Sequence, residues 1–198
     1  MILFFDTETT GFPDMNARAR APHQPHIVQL AAILEDGSAV QADAYNVIIK
    51  PDGWTIPAEA AAVHGITTER ALAVGIPERE AAAKLLTMIR AAELVVAHNI
   101  TFDKFIALIA MRRFDLITDA DDAWWKGLNT RCTMRELTPF CKLPNMNGYS
   151  SYKWPKLQEA HKHCFGTEFD GAHDALADVR ACAKLFYWLR AKETAVKV

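Results

Sequence analysis

The sequence lacks the features that would place the chain in a membrane. Its 198 residues contain no apolar run long enough to cross a bilayer. The first residues have no basic lead-in and run from Phe5 directly into Asp6, so they do not form a signal peptide. We therefore expect a cytoplasmic protein with no membrane partner.

Paired cysteines and a strong charge excess are also missing. Cys132, Cys141, Cys164 and Cys182 form no CxxC motif, which favours free, mostly buried thiols over a disulfide framework. A zinc site made by Cys132, Cys141, His161 and Cys164 would match no common zinc template. The net charge of −2 argues against a protein that coats duplex DNA, but it allows an enzyme that grips a few nucleotides through bound metals.

The chain has no internal repeat and no low-complexity linker, which indicates one domain over residues 1–198. With 51% hydrophobic residues, it can bury a sizeable core. Three early strands, the second and third joined by an Asp36-Gly37 turn, predict an antiparallel meander. The later alternation of strands and helices predicts an α/β fold with a mixed sheet flanked by helices. The predicted strands are Ile2–Phe5, His26–Glu35, Gln41–Lys50, Leu94–His98 and Asn129–Met134, and the predicted helices are Pro57–His64, Pro77–Ala92, Thr101–Arg113, Lys156–Phe165 and Asp174–Lys192.

Two acids follow the first apolar strand. Asp6 and Glu8 are two residues apart, so in extended chain both side chains point to the same face. Such a pair needs compensation, and a hard divalent cation provides it because carboxylate oxygen is its preferred ligand. The alternative is that Asp6 caps the following turn and Glu8 is solvated.

Three further residues fall at the starts of predicted helices. Asp103 lies in the first turn after the strand Leu94–His98, and Asp178 lies in the first turns of the last helix, just after His173. Alone, Asp103 is explained as an acid that complements the helix dipole, and His173 as a solvated loop residue beside a helix-capping Asp174. Four acids in three segments together with a histidine that titrates near neutrality indicate a metal-dependent catalytic site.

The order of these motifs resembles that of the DEDDh 3′→5′ exonucleases, a family that includes the proofreading subunit of bacterial DNA polymerase III and ribonuclease T. The three family motifs are present as Phe5–Gly11, His98–Asp103 and His173–Asp178, and the histidine five residues before the last aspartate marks the "h" subclass. The segment Val63–Thr67 also resembles one that the family places near the terminal nucleotide. The resemblance covers most of the chain and implies a ribonuclease H-like fold with a five-stranded mixed sheet.

The resemblance also implies a catalytic arrangement with two divalent cations, Mg²⁺ or Mn²⁺. Asp6 would bridge both cations. Glu8 and Asp178 would complete the site that activates water, and Asp103 would hold the second cation. His173 would accept the proton of the attacking water.

Contacts to the substrate follow from the same resemblance. Thr9 and Gly11 would approach the terminal nucleotide through the main chain, and Phe12 would wedge against its base. His64 and Asn99 are further candidates for substrate contacts.

A basic segment rich in aromatic residues offers a grip for single strands. Residues 123–163 contain seven Lys or Arg and only two acids, and basic residues beside stacking aromatics suit single-stranded nucleic acid. Lys153 and Lys156 are the preferred phosphate contacts. The alternative is a solvated basic face over core aromatics. The aromatic residues are Trp124, Trp125, Phe140, Tyr149, Tyr152 and Trp154.

The sequence thus predicts a 3′→5′ exonuclease that acts on single-stranded DNA ends and releases nucleoside 5′-monophosphates. An RNA-trimming exonuclease and an inactive nucleic-acid-binding module of the same fold are the alternatives. Because the chain ends soon after the last helix, we expect a free-standing nuclease rather than a dedicated polymerase subunit. A polymerase partner and a homodimer both remain open.

Overall fold

A six-stranded mixed sheet forms the centre of the computed structural model, which describes residues 1–39, 41–145 and 152–195, the side chain of Ala42 excepted. The spatial order of the strands is β4-β3-β2-β1-β5-β6. β1, β2 and β3 pair in antiparallel fashion, whereas β5 runs parallel to β1 and β6 runs parallel to β5. The predicted mixed sheet and its meander are therefore confirmed. The strands are Ile2–Thr9 (β1), Ile27–Glu35 (β2), Gln41–Lys50 (β3), Ile76–Pro77 (β4), Leu94–Ala97 (β5) and Thr130–Cys132 (β6).

Five of the helices in the described residues match the predicted ones to within a few residues. Three short helices and the two-residue strand β4 were not predicted. Met134, predicted to end a strand, instead lies in a helix, where it and Leu137 are buried with Thr133 at helical spacing. The helices are Ala58–His64 (α1), Thr68–Val74 (α2), Glu78–Ala91 (α3), Ile100–Arg113 (α4), Asp122–Lys126 (α5), Thr133–Cys141 (α6), Leu157–Phe165 (α7) and Ala175–Ala195 (α8).

The alternation of side chains along β1 divides the core into two layers. Leu3 and Phe5 point into a layer that contains the apolar faces of α3 and α4. Ile2 and Phe4 point to the other face, where the ring of Phe4 packs edge-on against Phe186 of α8 with centroids 5.3 Å apart. Ile2, Leu3, Phe4 and Phe5 are all buried, so β1 lies at the centre of the core.

β1 also sets the location of polar groups at one edge of the sheet. Since β5 is parallel to β1, the two strands end at the same edge, and α4 begins directly after β5. α8 packs on the other face of the sheet, with Val179 and Phe186 in the same layer as Phe4. The carboxyl ends of β1 and β5 therefore meet the amino ends of α4 and α8. Within the described residues, the helices are too short or too polar to cross a bilayer.

Candidate functional site

The predicted acids converge at this edge of the sheet. β1 continues to Thr9, so Asp6 and Glu8 lie on the strand itself and share the face that α8 covers. Thr7 points to the opposite face, toward α4. Asp103 belongs to the first turn of α4 and Asp178 to the first turn of α8.

Glu8, His173 and Asp178 form the tightest part of the cluster. One potential ligand atom from each lies within 4.8 Å of the other two, and the described part of the chain has no other such group of three His, Cys, Asp or Glu side chains. His173 adopts a left-handed backbone conformation with φ of 68°, and its N–H donates to Asp178 Oδ2 at 3.3 Å. The main chain thus holds the exposed imidazole beside two carboxylates.

Asp103 is anchored by β1. The Thr7 N–H and hydroxyl donate to the same oxygen, Oδ1, at 3.1 and 2.9 Å. Asp103 is only 2% exposed and acts electrostatically on Asp6 and Glu8. Asn99, predicted to contact substrate, is the residue directly before α4; its φ is 77°, and its side chain does not cap the helix.

Burial and mutual repulsion make the cluster unfavourable when all its acids are ionised. Burial and the neighbouring Asp103, Asp178 and Glu8 raise the pKa of Asp6 well above its usual value. Burial and the Asp178 carboxylate raise the pKa of Glu8 to about 8. Burial raises the pKa of Asp103 to about 7, against the lowering effect of the Thr7 hydrogen bonds, and raises that of Asp178 to about 6. A nearby positive charge would stabilise the ionised forms of all four carboxyl groups and lower their pKa values.

One oxygen atom supports this conclusion independently of charge. Asp178 Oδ1 is buried and has no hydrogen-bond partner among the described residues, while Oδ2 accepts from the main chain of His173. A buried carboxylate oxygen without a partner is costly unless a donor or a cation meets it. The all-oxygen donors of Asp6, Glu8, Asp103 and Asp178 suit Mg²⁺ or Mn²⁺ better than zinc.

A cleft of about 510 Å³ adjoins the cluster. Phe12 stands at its rim, 92% exposed, with its ring edge-on to Phe102 of α4 at 6.2 Å. The Thr9 hydroxyl donates to the Gly11 carbonyl at 2.8 Å, which shapes the loop after β1. The cleft is lined by main-chain and side-chain atoms of Thr7, Glu8, Thr9, Thr10, Gly11, Phe12, Glu59, Ala60, Val63, His64 and Phe102.

His64 lines the cleft and lies close enough to His173 to interact with it electrostatically. Its Nδ1 accepts the N–H of Ile66 at 3.2 Å. Nε2 is buried and has no well-aligned hydrogen bond within the described residues, although the nearby main chain of Thr9 acts to raise the pKa of His64. Burial, and secondarily the nearby His173, lowers the pKa of His64. Val63, the first residue of the segment Val63–Thr67 predicted to lie near the terminal nucleotide, also lines the cleft, as does Glu59, which the sequence analysis missed.

The predicted basic and aromatic grip is only partly accessible. Lys153 Nζ pairs with Glu159 Oε1 at 2.6 Å, while the Lys156 side chain is exposed. Trp125 is buried in the core, so the core alternative is correct for this residue. Tyr152 and Trp154 are exposed. Phe140 is also exposed, Trp124 packs partly against the core, and Tyr149 lies outside the described residues.

The zinc alternative finds no support in the described residues. Cys132 lies in the core layer beneath α4, whereas Cys141 and Cys164 pack in a separate cluster between α6, α7 and α8. His161 is turned to the carbonyl of Thr167 at 2.7 Å. The four side chains therefore do not converge.

Comparison with known proteins identifies relatives in sequence and in fold. The RNase T exonuclease family model matches residues 3–186. The uncharacterized exonuclease CP81 of Escherichia phage 186 is 30% identical over 181 residues, covering 90% of this chain and 82% of that protein. A DNA polymerase III subunit epsilon-like protein of Rhodobacter capsulatus is 34% identical over 115 residues, covering 57% of this chain and 14% of that protein.

Among solved structures, a zinc-bound complex of E. coli exonuclease I with single-stranded DNA superposes with a TM-score of 0.74 at 23% identity. The match covers 98% of this chain and 41% of that one. The chain therefore spans about two fifths of exonuclease I, and the likeness establishes a shared fold.

Proposed function

Because this chain belongs to the DEDDh-type family of 3′→5′ exonucleases, we propose that it removes nucleoside 5′-monophosphates from the 3′ ends of single-stranded DNA. It is a nuclease, and its family generally uses divalent metal ions. The observation that carries the proposal is the convergence of four acids and one histidine beside a cleft large enough for a nucleotide. The complex of exonuclease I with single-stranded DNA supports the choice of substrate.

The four acids would hold two cations, Mg²⁺ or Mn²⁺. Asp6 interacts with every other acid of the cluster, which suits a bridging role, and Asp178 Oδ1 is an oxygen in need of a partner. Glu8 would share one cation with Asp178, and Asp103 would contribute to the other. When bound, such cations stabilise the charge that builds on the attacking and leaving oxygens.

His173 would accept the proton of the attacking water. The water oxygen bonds to phosphorus, one water proton passes to the imidazole, and the bond from phosphorus to the 3′-oxygen of the next nucleotide breaks. That oxygen takes a proton from solvent, which leaves a shortened strand and a nucleoside 5′-monophosphate. The geometry suits this role because the His173 ring lies within 4.8 Å of ligand atoms of Glu8 and Asp178 while remaining open to solvent.

The cleft beside the cluster would receive the terminal nucleotide. Phe12 offers an exposed ring for the base, and His64 offers the buried Nε2 to a sugar or phosphate oxygen. Thr9 and Gly11, which line the cleft, would approach the nucleotide through the main chain, and Asn99, directly before α4, would contact it through its side chain. An exonuclease needs this arrangement because the end of the strand has to be recognised next to the scissile phosphate.

Stepwise shortening of labelled strands tests the proposal. DNA and RNA oligonucleotides of the same sequence, labelled at the 5′ end, are incubated with Mg²⁺, Mn²⁺ or EDTA. We expect a ladder from the 3′ end of the DNA, release of 5′-monophosphates, no reaction in EDTA, and no reaction with Asp6→Asn in any metal. Shortening of RNA alone would reassign the substrate, and oligonucleotide binding without turnover in any metal would refute the proposed activity.

A further inference from the structure

An exposed tryptophan, with an arginine stacked on its ring, lies close to the edge of the sheet that carries the acid cluster. The Arg135 guanidinium lies 5.6 Å from the ring centroid of Trp154, and its Nη2 donates to the Thr101 hydroxyl at 3.3 Å. The side chain of Trp154 is nevertheless 59% exposed, so one ring face is covered and much of the remainder is open to solvent.

The segment that carries Trp154 is attached to the end of β5. His98 Nε2 lies 3.0 Å from the Pro155 carbonyl, and Nδ1 lies 2.9 Å from the Thr133 hydroxyl. Burial lowers the pKa of His98 to about 4, so the ring is neutral; Nε2 donates to the carbonyl, and Nδ1 accepts from the hydroxyl. The tryptophan is therefore held next to the residues that begin α4.

Three successive residues of α4 connect this tryptophan to the rest of the site. Thr101 binds Arg135, Phe102 lines the cleft for the terminal nucleotide, and Asp103 belongs to the acid cluster. The Arg135–Trp154 pair and the cleft thus both contact the first turn of α4, but through different side chains. A strand cut at the cluster has its terminal nucleotide in the cleft, so the nucleotides upstream of the scissile phosphate require a separate surface.

We propose that Trp154 and Arg135 form a stacking platform for a base upstream of the scissile phosphate in single-stranded DNA. The inference rests on the proposed exonuclease function and extends it to the substrate beyond its last nucleotide. An aromatic face is sequence-tolerant because every base can stack on it. Arg135 has no carboxylate partner among the described residues, and Lys156, two residues after Trp154, has an exposed side chain, so the charge favours an anionic partner and the open aromatic face favours the bases of a single strand.

The test compares a long substrate with one that has no upstream nucleotide. The p-nitrophenyl ester of thymidine 5′-monophosphate carries the terminal nucleotide and its phosphate, but its leaving group is p-nitrophenolate. Trp154→Ala should lower kcat/KM for a single-stranded DNA oligonucleotide about 5- to 100-fold, the usual worth of one stacked base, and should leave hydrolysis of the ester unchanged. Trp154→Phe should retain most of the activity on both substrates.

The matched control is Phe165→Ala. Phe165 is an exposed aromatic residue that lines a different surface cavity with Glu35 and Tyr187, at the opposite edge of the sheet. This variant should behave like the wild type on both substrates. Arg135→Gln should bind the oligonucleotide more weakly and with a flatter dependence on salt concentration.

Equilibrium binding separates failure of the platform from failure of the proposed function. The affinity of the wild type and Trp154→Ala for a fluorescent single-stranded oligonucleotide is measured by anisotropy in Ca²⁺ or EDTA, where turnover is not needed. Loss of affinity in the variant supports the platform even if the wild type hydrolyses neither substrate. Equal affinities, or an equal loss of activity on the oligonucleotide and the ester, would overturn it.

Discussion

The acid cluster should make the metal-free protein less stable as the pH rises. Burial and neighbouring carboxylates raise the pKa of Glu8 to about 8, and burial raises the pKa values of Asp103 and Asp178 to about 7 and 6. Such acids bind protons more tightly in the folded chain than in the unfolded one. The free energy of unfolding therefore falls as the pH rises from about 4, where the acids of the unfolded chain begin to ionise, through about 8, the pKa of Glu8 in the folded chain. The other titratable groups that face the cluster are Asp6, Asp174, His173 and His64.

The magnitude can be estimated for Glu8→Gln, which removes one of the repelling charges. A rise of its pKa from 4.5 to about 8 corresponds to roughly 5 kcal/mol at about 1.4 kcal/mol per pKa unit. Glu8 is partly exposed, so solvent screening reduces this to about 2 kcal/mol. For a chain of this size, we expect Glu8→Gln in EDTA near pH 8.5 to raise Tm by about 4–8 °C.

Thermal unfolding in EDTA at intervals from about pH 5 to about pH 9 measures this effect. The Tm of the wild type should fall as the pH rises across this range. The Tm of Glu8→Gln should fall less, so that at high pH it exceeds the Tm of the wild type. Adding Mn²⁺ should raise wild-type Tm most at high pH, where the acids are ionised, and should raise that of Glu8→Gln less. Glu59→Gln is the matched control, because Glu59 is an exposed carboxylate in the adjacent cleft.

Two results would refute the reasoning. If Tm of the metal-free wild type is flat or rises over this range, the acids do not repel one another in the folded protein. If Glu8→Gln and Glu59→Gln change Tm equally, the effect arises from net charge and not from the cluster.

Three further predictions follow from individual contacts. His173→Ala should lower kcat about 10²–10⁴-fold while oligonucleotide affinity measured by anisotropy is kept, and Asp6→Ala should lower kcat further; unchanged turnover at neutral pH would remove His173 from the reaction. Gln29→Leu removes the donor to Asp174 at 3.0 Å and leaves a buried N–H of α8 unpaired. The free energy of unfolding measured with urea should therefore fall by about 1–3 kcal/mol. In the same variant, kcat should fall by a larger factor than KM rises. Gly75→Ala would place a Cβ 2.4 Å from a backbone oxygen of α2 and 2.5 Å from a backbone nitrogen of β3, so the free energy of unfolding should fall by about 1–3 kcal/mol. Activity per folded molecule should not change. A variant as stable as the wild type would show that the backbone can shift at this position.

Local patterns in the sequence were sufficient wherever a residue's role depends on its near neighbours. The period of two along Ile2–Phe5 predicted which side chains share a face, and the two core layers confirm it. The same period put Asp6 and Glu8 on one face, and helical periodicity located α3, α4 and α8. The helix α6 was missed because it begins directly after the strand β6 and contains Pro139, a residue that disfavours a helix interior.

The sequence by itself determined the strands, the longer helices and the identity of the acids, because these depend on periods of two to four residues that one chain segment contains. Only the tertiary structure decided which distant groups meet. Lys153, a candidate phosphate contact, faces Glu159, whereas Arg135 faces Trp154 and has no carboxylate partner in the part of the chain that the structure describes. Sheet order and the entry of α4 and α8 at one edge bring residues almost a hundred positions apart, such as Thr7 and Asp103, into hydrogen-bond contact. No local pattern encodes such pairings, because they result from how whole elements pack.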